Sequence, residues 1–86
     1  MYRLVLLPAA EKFYKKLYES DRSIFERIFS ALQSLRQNPF DGKPLKHNLK
    51  GQYSHRVGSY RIIYELLHKP VTVYVFEIGH RKNIYQ

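Results

Sequence analysis

The dipeptide Gly58-Ser59, set between two runs rich in Tyr, Val and Ile, constrains this chain more than any other feature. Glycine at the first central position of a two-residue hairpin turn takes the positive φ such turns require, and the turn fixes the pairing of the strands it joins. Residues 53–57 and 60–67 are therefore predicted to pair antiparallel, with Val57 facing Tyr60, Arg56 facing Arg61, His55 facing Ile62 and Tyr53 facing Tyr64. A third run at 71–78 follows His68-Lys69-Pro70, completing a meander of three antiparallel strands. Side chains alternate along a strand, so the set built on Tyr53, His55, Ile62 and Tyr64 takes one face and Arg56 and Arg61 the other.

The N-terminal half reads differently. Residues 2–7 form a short apolar strand that ends at Pro8, which suits the first turn of a helix because its missing N–H costs nothing there. Ala9, Phe13 and Leu17 then recur at helical spacing through about Tyr18. Ser20 or Asp21 caps a second helix whose stripe is Ile24, Ile28, Ala31 and Leu35, flanked by Phe25 and Leu32, and Asn38-Pro39 stops it. The tight join makes an antiparallel helix hairpin, with Arg22, Glu26, Arg27 and Gln33 left for water. The expected fold is α+β: an N-terminal strand, the hairpin, then the meander, with both helices on one face of the sheet. At 86 residues the chain is a single domain, 1–86, and a domain this short buries only roughly 60 to 65% of its unfolded surface, so partner contacts add to its stability. No run approaches the roughly 18 apolar residues of a membrane span, so no membrane partner and a cytoplasmic location are expected.

Charge is spread unevenly. The net charge is +8, and after residue 42 eight lysines and arginines meet only Glu65 and Glu77. The basic field belongs to the sheet half and points to a polyanionic partner. Without cysteine there is no disulfide framework, thiol nucleophile, cysteine zinc site or iron–sulfur cluster, and no H-x-x-x-H or carboxylate cluster points to a metal or other cofactor. Ser20, Ser34 and Ser59 lack the neighbouring base a nucleophile needs. Like charges directly opposite destabilise a sheet, so Arg56 and Arg61 call for an anion between them, phosphate first. The competing reading gives their neutralisation to Glu65 or Glu77. Past the last strand come Gly79-His80-Arg81-Lys82 and Tyr85, where the chain can turn back over the sheet or trail as a solvated tail. His47 and His68 are surface groups of a loop and a turn, and the 38–52 loop carries the solvated Lys43, Lys46 and Lys50.

Leu49-Lys50-Gly51, Arg56-Val57-Gly58-Ser59-Tyr60-Arg61-Ile62-Ile63-Tyr64 and Ile78-Gly79-His80-Arg81-Lys82-Asn83-Ile84-Tyr85 together resemble the RelE toxins of the RelE/ParE superfamily, over essentially the whole chain. The resemblance implies a metal-independent endoribonuclease that enters the ribosomal A site and cuts mRNA with the RNA 2′-hydroxyl as nucleophile, leaving a 2′,3′-cyclic phosphate. A cognate antitoxin would restrain it, and operator DNA would be bound only by the toxin–antitoxin complex. By position, Arg61 would contact the scissile phosphate, Arg81 would stabilise the leaving 5′-oxygen, and Tyr85 would stack on the nucleotide being cut. Arg56 falls where such enzymes often hold a basic residue, and Lys43, Lys46, Lys50, Ser54 and Lys82 are candidates for RNA or ribosome contacts. Fixed guanidinium groups suit this reaction because internal attack adds negative charge to the phosphoryl oxygens, and an aromatic ring stacks on any base.

Ser54 stands where some relatives carry Lys. Arg56 stays protonated and is unsuited to be the general base, which leaves His80 as the most suitable titrating group, with Tyr85 behind it. Two other readings stay open: a ParE-like DNA gyrase inhibitor on the same fold, and a non-catalytic nucleic-acid binder whose affinity falls steeply with salt.

Overall fold

The computed structural model of the chain describes residues 2–44, 51–68 and 71–80. Within them β1 is Arg3–Leu6, α1 Pro8–Ser20, α2 Arg22–Gln37, β2 Lys43–Pro44, β3 Gln52–Val57, β4 Tyr60–His68 and β5 Val71–His80, with a short 3₁₀ turn at Pro39–Asp41. Pro8 occupies the first turn of α1, as its sequence position predicts. The helix then runs to Ser20, two residues further than its apolar spacing reaches, and the Ser20 hydroxyl donates back to the Lys16 carbonyl at 2.9 Å. Asp21 alone separates the helices. Its N–H closes α1 on the Leu17 carbonyl and its carboxylate accepts the Ile24 N–H at 3.2 Å, so one residue ends one helix and caps the next.

The strands make one five-stranded mixed sheet in the order β1-β5-β4-β3-β2. β1 lies parallel to β5, from Arg3 opposite Thr72 to Leu6 opposite Val75, and the other neighbours are antiparallel. The β3–β4 register is the one the Gly58-Ser59 turn predicts, and Gly58 has φ +58°. Between β4 and β5 the register slips: Ile63 faces Glu77 while Tyr64 faces Val75, so Phe76 is an added residue that bends the strand. The expected 38–52 loop is structured at its start, where Lys43 and Pro44 pair with Ser54 and Tyr53.

Ala10 and Leu17 of α1 and Ile28, Leu32 and Leu35 of α2 form a common core with Val57, Ile62, Tyr64, Leu66, Val73, Val75 and Ile78. These strand residues all belong to one face, so both helices cover the same side of the sheet. Each fully buried aliphatic among them contributes about 1.5 to 3 kcal/mol relative to exposure. Leu17 is buried and Phe13 packs on the core as the spacing predicts, but the apolar face begins at Ala10, at 0% exposure, and not at Ala9, which is exposed. Among the described residues no helix is long and apolar enough to cross a membrane.

Candidate nucleic-acid interface

The face away from the helices carries the arginines. Arg56 and Arg61 are direct partners across β3 and β4, and on its other side Arg61 faces Gly79 of β5. Arg61 is half-buried, and its Nη1 donates to the Ser54 hydroxyl at 3.3 Å. Ser54 is 4% exposed, lying beneath the guanidinium, so it orients Arg61. Arg56 is exposed, and its Nε donates to the Gly58 carbonyl at 3.2 Å. Lys43, opposite Ser54 on β2, adds an exposed ammonium to the same face.

The carboxylates of that face sit further along it. Glu65 pairs with Gln52 and Tyr74, and Glu77 with Ile63. Among the described residues neither lies within salt-bridge distance of Arg56 or Arg61; the ion pair present is Lys15–Glu11 on α1. The described carboxylates of this face stand off from the arginine pair along the strands. The described residues include no group of three or more side chains suited to hold a metal ion.

His80 is not brought to this face. Its register partner is Tyr60, against which its ring packs edge-on at 5.4 Å, and Tyr60 in turn meets Phe13 of α1 at 6.3 Å. Strand alternation explains the placement: with Gly79 beside Arg61, the next residue must point to the helix side. Arg81, Lys82 and Tyr85, like Lys46 and Lys50, lie outside the described residues.

Tyr64 has a role its place in the motif does not announce. It is fully buried and stacked on Tyr53 at 5.4 Å, and its hydroxyl donates to the Pro39 carbonyl at 2.7 Å while accepting the Gly42 N–H at 3.0 Å. Burial pushes its phenol up to about 12, with the Gly42 N–H opposing that shift. A Cβ at Gly42 would collide with the Tyr64 ring, so the chain approaches the phenol closely only because that residue is glycine. The contact fixes the turn that delivers Lys43 to the sheet. The roles missed from the sequence share one character: Ser54, expected as an RNA or ribosome contact but buried as the partner of Arg61, and Tyr64, the clasp on the Pro39–Gly42 turn, make polar contacts between strands or across a loop.

In comparison with known proteins, residues 4–85 match a family described as the ParE toxin of type II toxin–antitoxin system, parDE. The chain is 26% identical over 87 aligned positions to the putative toxin RelE4 of Methanocaldococcus jannaschii, covering all of this chain and 93% of that one. It is 40% identical over 45 residues to the toxin RelG of Mycobacterium tuberculosis, which is 52% of each chain, so the match spans about half of that relative's length. Among solved structures, the toxin–antitoxin complex RelBE2 of Mycobacterium tuberculosis contains a chain that superposes with a TM-score of 0.80 at 29% identity, over 93% of this chain and 98% of that one.

Proposed function

The chain belongs to the ParE toxin family of type II toxin–antitoxin systems and is a RelE-like toxin, and from that premise we propose that it is a ribosome-dependent mRNA endoribonuclease. The observation that carries the reading is Arg61: a guanidinium held by a buried serine on the face away from the helices, with a second arginine directly across the strand pair. An oriented cation is what phosphodiester cleavage by an internal hydroxyl requires. The 2′-hydroxyl gives up its proton as its oxygen attacks the adjacent phosphorus, the bond to the 5′-oxygen breaks and that oxygen takes up a proton, and a 2′,3′-cyclic phosphate and a 5′-hydroxyl remain. Negative charge grows on the phosphoryl oxygens as the new bond forms, and Arg61 meets it without reorganising. Arginine supplies charge rather than proton transfer. In this reading Arg81 stabilises the departing 5′-oxygen and Tyr85 stacks on the cut nucleotide; Lys43, Lys46, Lys50 and Lys82 attract the RNA. The ribosome holds the strand in line, which spares so small a domain a deep pocket. A cognate antitoxin that masks the basic face restrains the activity, and the RelBE2 assembly supports such a partner.

The test is to map RNA ends after incubation with programmed ribosomes. Cyclic-phosphate ends are expected. Arg61→Ala, still folded, should cleave about 100- to 1,000-fold more slowly, the range for removing one transition-state donor. Full cleavage by folded Arg61→Ala sinks the assignment. The ParE description of the matched family favours one second reading, inhibition of DNA gyrase. In that case purified gyrase loses supercoiling activity in the presence of the protein, and programmed ribosomes yield no cut RNA.

A further inference from the structure

Arg56 and Arg61 are register partners, yet their guanidinium groups are anchored on different groups. Arg61 donates to Ser54, two residues before Arg56 on β3, whereas the Arg56 Nε donates forward to the Gly58 carbonyl in the turn. The pair therefore diverges. A third arginine reaches the same turn from the other layer of the protein. A Cβ on Gly58 would lie 2.8 Å from Nη2 and 3.2 Å from Nη1 of Arg27, a residue of α2. Arg27 and Arg56 are both exposed, and among the described residues neither has a carboxylate within salt-bridge distance.

We infer that Arg27 and Arg56 form a second phosphate site at the β3–β4 turn, distinct from the one at Arg61, which takes a phosphodiester flanking the linkage that is cut. The inference rests on the RNA-binding part of the proposed function. Two guanidinium groups held at one glycine concentrate positive charge there, which an anion relieves, and a backbone phosphodiester offers two non-bridging oxygens that share one negative charge. Glycine supports the site twice: it accepts φ +58°, and its missing side chain admits the Arg27 guanidinium to the turn. The helix layer thereby takes part in binding, and the basic track continues from the sheet around the end of the hairpin.

The test is salt-dependent binding of a short single-stranded RNA, made uncleavable by 2′-deoxy substitution, to the wild type, Arg27→Ala, Arg56→Ala and the double variant, with the same series on programmed ribosomes. Each single variant should weaken binding to the free strand about tenfold and lower the slope of log affinity against log salt by about 0.7, the value for one phosphate of a single strand. The double variant should lower the slope no further, because the two arginines share one phosphate. Arg27→Gln, which keeps most of the aliphatic stem, repeats the measurement should Arg27→Ala not fold. Unchanged affinity and slope in a folded Arg27 variant overturn the site, and a loss seen only on ribosomes overturns the assignment to the cut strand. Because the strand is uncleavable, binding is read independently of the nuclease reading: the slope change here, together with no cut ends from ribosomes programmed with ordinary mRNA, would retire the nuclease and leave the site.

Discussion

Tyr64 shows how one hydroxyl links the core to the turn that carries Lys43 to the arginine face. The phenol ionises at 10.0 when unperturbed and at about 12 in the folded protein. Between those values the unfolded chain has released a proton that the folded chain retains, so this contribution is intact below pH 10 and is lost as pH climbs toward 12, to a limit of roughly 2 to 3 kcal/mol. Tyr64→Phe should remove that part of the alkaline loss. It should also cost about 1 to 3 kcal/mol at neutral pH, because the Pro39 carbonyl and Gly42 N–H lose their partner. Urea unfolding of both proteins at pH 8 and pH 11 checks both statements. At this scale the sequence was legible where a turn set the geometry and illegible where a side chain crossed between elements. Arg56 opposite Arg61 follows from Gly58-Ser59 alone. Ser54 beneath Arg61, and Tyr64 reaching residues 22 and 25 positions away, depend on how the backbone carries distant segments together.

Among the elements, the helix hairpin depends most on a single side chain. Asp21→Ala removes the acceptor for the Ile24 N–H at the start of α2 and should destabilise the protein by about 1 kcal/mol, seen as a lower urea midpoint with an unchanged slope. The hairpin was readable because an acid stands between two apolar-periodic segments. β2 was not: Lys43 and Pro44 have little intrinsic strand preference, and they are extended because Tyr64 fixes the turn before them and Ser54 and Tyr53 pair with them. The parallel neighbour of β1 was also hidden, since alternation tells that a segment is a strand and does not tell beside which strand it lies. His80 marks the same limit. Its sequence neighbours put it with the arginines, but the alternation beyond the slip at Phe76 turns it to the helix side.

At the scale of the whole molecule, β5 decides the fold. It lies between β1 and β4 and brings Val73, Val75 and Ile78 to the core. A chain ended at residue 70 should show no cooperative thermal transition in calorimetry, although it keeps both helices and the β3–β4 pair. The pairing of Arg3 with Thr72 joins strands separated in sequence by both helices and the rest of the sheet, which places a large loop-closure entropy before the sheet is complete. During synthesis, therefore, β1 leaves the ribosome well before β5 and waits for it. Until β5 has emerged there is no assembled sheet on which Arg56 and Arg61 are held, and a transcript broken before the codons for β5 should yield a fragment that does not present their face.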